Sequence, residues 1–108
     1  MQPGSVCPIT LGDYVQFGPG VRIITGGHII GPEHERTGPH KNQPVQIMAG
    51  AWIGAGAIIL PGVIIDKGSV IGAGSVVTKN IPDNVVAAGV PAKVIRELGP
   101  YGDLPERD

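Results

Sequence analysis

From Ile47 onward every sixth residue is aliphatic: Ile47, Ile53, Ile59, Ile65, Ile71 and Val77 form one unbroken frame. Three positions after the first five stand Gly50, Gly56, Gly62, Gly68 and Gly74. One position later come the smaller Ala51, Ala57, Val63, Ser69 and Ser75, followed in the same frame by Ile81. The frame also runs upstream, with Leu11, Phe17 and Ile23 at the large apolar position and Val15 and Val21 at the smaller one. A repeat of this kind constrains the fold more strongly than any local propensity.

The hexad has a direct physical reading. The small residue and the next aliphatic are two apart, so they lie on one face of a short strand. Glycine falls between strands, where a corner requires positive φ and tolerates no Cβ. Strand and corner alternating every six residues wind the chain into a triangular coil, eighteen residues to a turn, with aliphatic side chains filling the axis. This is an all-β architecture, the hexapeptide form of the parallel β-helix. Residues 11–28 supply one coil and 47–82 two more, a stack roughly 15 Å tall at about 4.8 Å per coil. The outward Ile58, Ile64, Val70 and Val76 are then expected to be exposed on three faces, Ile58 and Val76 sharing one.

Composition fits once the period is known. The 18 glycines and 11 prolines among 108 residues would suggest disorder in an aperiodic chain. The length holds one domain, with the β-helix over residues 1–98 and an unstructured, flexible tail over 99–108. A formal charge of −1 gives no footprint for nucleic acid or an anionic membrane. Residues 44–65 carry no charge, but two prolines and a period of six argue against a membrane span. The first ten residues lack the basic and apolar regions of a secretory signal. Cys7, the single cysteine, has no internal disulfide partner, so the cytoplasm is the expected compartment.

Chemistry is expected where the period breaks. The first break, "GGHIIGPEHERTGPHKNQP" from Gly26 to Pro44, holds His28, His34 and His40. It would place Glu35 and Lys41 in the axis, so it is expected to project as a loop over 29–46. Loops on a rigid scaffold concentrate function. The second break follows Val77, where "PAKVIREL" predicts a short C-terminal helix with Pro91 in its first turn.

The combination "ITGGH", "IGAGSVVTK" and "AAGVPAKVIR" resembles the hexapeptide-repeat acetyltransferases, nearest to the maltose and galactoside O-acetyltransferases. The likeness runs from about Thr10 to Leu98, without the N-terminal segment of those enzymes. It implies a left-handed coil, an exception to the right-handed crossover rule. It also implies a homotrimer with active sites between subunits, and transfer of acetyl from acetyl-CoA to a hydroxyl or amine of a small acceptor. By position, His28 matches the family's catalytic histidine. Ala55, Ala73, Thr78 and Lys79 match residues lining the CoA groove, and Lys93 and Arg96 match a basic pair near the CoA phosphates. Glu33 matches an acidic position in the first break. The sequence departs from the family at Ile29, where proline usually follows the histidine, and at "IMAGAW" before Trp52.

The residue chemistry is compatible with that resemblance. A hydroxyl attacking a thioester needs a base that works near neutral pH, and imidazole, ionising at about 6.5 in its ordinary state, is suited to it. Lys93 and Arg96 suit phosphate. No activated nucleophile is evident, so no acyl-enzyme is implied, and no metal is expected. Trp52 is read as packing at a corner. Two other classes remain open. One is a trimeric β-helix of the carbonic anhydrase type binding zinc through His28, His34 and His40, whose six-residue spacing would make them diverge on regular coils. The other is a non-catalytic β-helix assembly module.

Overall fold

A computed structural model describes residues 7–105. Thirteen strands run β1 (Ile9–Leu11), β2 (Gln16–Phe17), β3 (Arg22–Ile23), β4 (Gly26–Ile30), β5 (Thr37–Asn42), β6 (Val45–Ile47), β7 (Trp52–Ile53), β8 (Ile58–Ile59), β9 (Ile64–Ile65), β10 (Val70–Ile71), β11 (Val76–Val77), β12 (Val85–Gly89) and β13 (Ala92–Glu97). Eleven of them stack into three faces, with parallel pairing throughout except where β13 joins β12. The first is β1-β6-β9, the second runs β2-β7-β10-β12-β13, and the third is β3-β8-β11. The register is the one the period demands. Ile65 lies over Ile47, Ile71 over Ile53 and Val77 over Ile59, each eighteen residues on.

Every inward position from Val45 to Val77 is closed to solvent. Ile47, Ile53, Ile59, Ile65, Ile71 and Val77 alternate with Ala51, Ala57, Val63, Ser69 and Ser75, all between 0 and 2% exposed. The corners have the conformation that glycine was placed there to provide, with φ from 68° to 82° at Gly50, Gly56, Gly62, Gly68 and Gly74. At the edge between the first and second faces the same corner position is held by Tyr14 at φ 61° and Asn84 at φ 50°. Asparagine adopts this region readily; tyrosine does so at a cost.

Leu11 and Phe17 occupy inward register positions opposite Ile47 and Ile53, yet they are 48% and 39% exposed. Their coil lies at the outer edge of all three faces, so nothing covers it from below among the described residues. The opposite end is closed differently. Ile81 pairs with Ile65 and Ala87 with Ile71, sixteen residues on rather than eighteen. The axis there contains Ser69 and Ser75. The Ser69 hydroxyl donates to the Pro82 carbonyl at 2.6 Å and accepts from the Val85 N–H at 3.2 Å. The Ser75 hydroxyl donates to the Gly72 carbonyl at 2.7 Å and accepts from the Gly89 N–H at 3.1 Å. Two serines thus anchor the shortened final coil, and their buried hydroxyls are fully satisfied.

Three expectations need correction. The segment "PAKVIREL" is not a helix: Ala92–Glu97 is an antiparallel strand on β12, joined to it by a two-residue turn at Val90–Pro91. Pro91 serves a tight turn as well as a helix start, and Val94 and Ile95 are β-branched and fit a strand. The projecting segment is an ordered antiparallel hairpin, β4 with β5, forming a sheet of its own. The outward Ile58, Ile64, Val70 and Val76 are half-buried rather than exposed. Neighbours along each outward row shield them, as Trp52 and Val86 flank Val70 and Arg22 and Val76 flank Ile58. Among the described residues no helix is long and apolar enough to cross a membrane, and residues 44–65 form short strands of the prism.

Candidate active site

The β4–β5 hairpin leaves the prism at the edge between the third and first faces. It takes the place of a corner such as Leu60–Val63, and its base is closed by the Gln43 N–H donating to the Thr25 carbonyl at 2.8 Å. Its eighteen extra residues are one full turn in length. Leu11 therefore still falls opposite Ile47, thirty-six residues on, and the frame continues unshifted past the insertion.

Within the hairpin, His28 stands directly opposite His40. The next pair is Ile30 with Thr37, two residues on along β4 but three back along β5. The surplus makes a bulge at Gly38–Pro39, which turns the Gly38 carbonyl toward the His28 side chain. His28 Nδ1 lies 2.7 Å from that oxygen. A carbonyl can only accept, so the neutral ring carries its proton on Nδ1 and leaves the Nε2 lone pair free. Gly38 is needed for the approach, because a Cβ there would collide with the Ile29 carbonyl. His28 is exposed to solvent, so the free nitrogen is accessible.

Thr78 and Lys79 form the corner on the same edge, two coils above the hairpin base, a rise of about 10 Å. Ala55 and Ala73 lie elsewhere. They are stacked turn residues, exposed on the edge between the second and third faces. Gly54 and Gly72 precede them at the same corner, and the Gly54 N–H donates to the Ile71 carbonyl at 2.8 Å. A Cβ on Gly54 would lie 2.6 Å from the Ala73 nitrogen, so the two coils meet there with no room for a side chain.

Lys93 pairs with Ala88 and Arg96 with Val86. Three residues apart on a regular strand, they would face opposite sides. A bulge at Ile95 in β13, opposite the Val86/Ala87 step, brings both to the outward side with Val86 and Ala88. The segment expected to be a short helix thus carries both cations on one side of a bulged strand instead. Ala88 lies at the end of the second face that runs into the Ala55–Ala73 edge, so Lys93 stands above that column. Arg96 is already engaged: its guanidinium makes two hydrogen bonds to Asp103, at 2.9 and 2.7 Å. The hydrogen bond from Arg96, reinforced by its charge, holds the Asp103 carboxyl below its ordinary range, and the same contacts raise Arg96.

The sequence-predicted residues therefore form two groups on two edges of the prism. His28, Thr78 and Lys79 share one edge; Ala55, Ala73 and Lys93 share another, with Arg96 beside them. The width of the third face, with Arg22, Ile58 and Val76 in its outward row, lies between. Glu33 and His34 are in the turn region at the hairpin tip, away from the His28–His40 pair. Trp52 is not at a corner. It projects from the second face in one cross-strand row with Val70, Val86 and Arg96, and it is 56% exposed. Among the described residues no group of three or more His, Cys, Asp or Glu side chains is placed to hold a metal ion. The pairing of His40 with His28 and the tie between Arg96 and Asp103 went unread in the sequence, since both depend on hairpin register and tail placement.

Residues 44–79 match the family model for bacterial transferase hexapeptides of six repeats. The chain is 49% identical over 90 residues to a galactoside O-acetyltransferase of Escherichia coli, covering 83% of this chain and 44% of that protein. It is 52% identical to one from Lactococcus lactis with the same coverage. Among solved structures, a galactoside acetyltransferase in complex with coenzyme A superposes at a TM-score of 0.78 with 42% identity, covering 93% of this chain and 53% of that one. A hexapeptide-repeat acetyltransferase of Vibrio cholerae complexed with acetyl coenzyme A also gives 0.78, at 33% identity over 84% of this chain and 50% of the other. The chain thus spans about half the length of these relatives. The six-residue period, the three-faced parallel coil and these likenesses agree: the chain is built of bacterial transferase hexapeptide repeats wound as the left-handed parallel β-helix of the acetyltransferases it resembles.

Proposed function

We propose that this chain is an acetyl-CoA-dependent acyltransferase acting on a hydroxyl of a sugar or similar small acceptor, with His28 as general base. The observation that carries the reading is the geometry of His28. Its Nδ1 proton is held by the Gly38 carbonyl, which leaves Nε2 as the proton acceptor on an exposed hairpin. Nε2 takes the acceptor's proton as its oxygen attacks the thioester carbonyl. The tetrahedral intermediate collapses with loss of the CoA thiolate, and the proton passes from His28 to that leaving sulfur. Acetyl transfer is complete without a covalent enzyme intermediate. Lys93 and Arg96, on one side of β13, supply the cationic contact for CoA phosphates. Ala55 and Ala73 give an edge smooth enough for an extended ligand arm to lie against, and Thr78 and Lys79 line the edge that carries the base.

The site is shared between subunits of a homotrimer in this reading. A single prism separates its two groups of site residues by a face. A cyclic, head-to-tail interface puts the His28 edge of one copy against the Lys93 edge of the next. The hairpin favours the same arrangement. A lone two-stranded sheet is marginal in water, and Ile29 and Ile30, 51% and 81% exposed, give it an apolar surface for a neighbour. Relatives crystallised with coenzyme A or acetyl coenzyme A support CoA as co-substrate, and the galactoside enzymes support a sugar hydroxyl as acceptor. The test is calorimetric titration with CoA and acetyl-CoA, followed by thiol release from acetyl-CoA across sugars and amino sugars. Saturable binding with acceptor-dependent thiol release is expected; failure to bind either nucleotide would overturn the reading.

A further inference from the structure

His40 has no part in the chemistry described so far, yet it faces the base. It stands directly across the antiparallel pair from His28, where side chains project to the same side of the sheet. The two ring centroids are 4.4 Å apart with planes inclined at 43°. That is contact distance for tilted aromatic rings. His28 is held from a second direction by the Gly38 carbonyl, 2.7 Å from Nδ1. The same strand, β5, supplies both restraints, two residues apart across the bulge.

One restraint alone is insufficient. A single hydrogen bond to Nδ1 leaves the imidazole free to rock about that contact and, with a change of χ2, to exchange tautomers. A ring packed against one side removes that motion. We infer that His40 is a positioning residue for His28. Its ring limits the orientation of the His28 imidazole, so the Nδ1–H bond to Gly38 persists and Nε2 stays aimed outward. The role requires a flat aromatic body at position 40 and makes no use of the His40 nitrogens. The inference rests on the reading of His28 as base for its kinetic consequence, but its structural content stands separately.

The test has two arms. Nitrogen–proton correlation spectra of the imidazole groups report the His28 tautomer with no acceptor or CoA present. The wild-type chain should show the neutral ring protonated on Nδ1. His40→Ala should move it toward a mixture containing the Nε2-protonated form, and His40→Phe should retain Nδ1 protonation. In acetyl transfer, His40→Ala should lower kcat on the order of tenfold, since small misplacement of a base is costly, with the KM for acetyl-CoA unchanged. His40→Phe should restore most of that loss. A His28 tautomer identical in all three proteins would overturn the inference, whether or not the chain transfers acetyl groups. A His40→Phe rate as low as that of His40→Ala would also overturn it, because His40 would then act through a nitrogen. If the tautomer shifts as expected while no acceptor is acetylated even by the wild type, the positioning role stands and the acetyl-transfer reading fails.

Discussion

The carboxylate of Asp103 lies on the guanidinium of Arg96 through two parallel hydrogen bonds of 2.9 and 2.7 Å. A planar carboxylate in that fork occupies donors that would otherwise suit a phosphate. In the proposed site the segment after β13 therefore competes with CoA for Arg96. Asp103→Asn should tighten CoA binding by about twofold to fivefold, the scale of an exposed ion pair. Arg96→Glu and Lys93→Glu should each weaken it, and wild-type affinity should fall with added salt. Calorimetric titration checks all three. An Asp103→Asn affinity no higher than wild type would show that the pair and the ligand do not compete.

The same pair has a defined pH signature. Arg96 lowers the Asp103 pKa, first through the hydrogen bonds and then through charge. A depressed carboxylate contributes stability above its unfolded pKa and loses that contribution as pH falls through its folded value. The tail contact should persist at neutral pH and release only below the usual carboxylate range. Carboxyl NMR titration should place the Asp103 midpoint below that of an unpaired aspartate, and Arg96→Gln should return it to the ordinary value. An unchanged midpoint in Arg96→Gln would contradict this account of the contact.

Ser69 and Ser75 join the last full coil to the shortened one. Ser69→Ala removes a donor to the Pro82 carbonyl and an acceptor for the Val85 N–H; Ser75→Ala does the same for Gly72 and Gly89. Each substitution takes the acceptor from a backbone N–H, Val85 or Gly89, while the Gly72 carbonyl keeps the Ser75 N–H at 3.3 Å; each should cost about 1–3 kcal/mol. Denaturant unfolding at fixed protein concentration measures the loss. Tyr14→Gly should act in the opposite direction, by about 1 kcal/mol, because it relieves a tyrosine held at φ 61°. A destabilised Tyr14→Gly would mean that the exposed ring makes contacts that outweigh its backbone strain.

Much of the fold could be read from the sequence, and the reason is physical. A β-helix repeats one local rule, so Ile47 through Val77 name their own stacking partners at eighteen residues. Where the rule stops, local signals become ambiguous. Pro91 and the residues after it fit a helix start and a two-residue turn equally well, and the turn was realised because β12 offered an unpaired edge. Half-burial of Ile58 and Val70 was not foreseen, since it depends on neighbours across coils. In the site, His28 and the Lys93–Arg96 pair were identified through a family likeness. The bulges that orient them, at Gly38–Pro39 and at Ile95, have no signature in residue spacing.

The proposed sharing of the site between subunits of a homotrimer predicts complementation. His28→Ala and Arg96→Glu place their defects on opposite sides of the third face, so each homotrimer would lack one element at every interface. Denaturing and refolding the two together gives mixed trimers, some of whose interfaces pair an intact His28 with an intact Arg96. These should recover a fraction of wild-type activity. A monomer by light scattering, or no recovery in trimers shown to be mixed, would contradict the arrangement.

In the proposed mechanism His28, with its proton fixed on Nδ1 by Gly38, accepts the proton of the attacking hydroxyl. The most direct measurement is kcat for acetyl transfer by His28→Ala beside the affinity of the same variant for CoA. With general-base catalysis by His28, kcat should fall by roughly 10²–10⁴ while CoA binds as to the wild type. Turnover at the wild-type rate by His28→Ala, with any acceptor that the wild type acetylates, would contradict it.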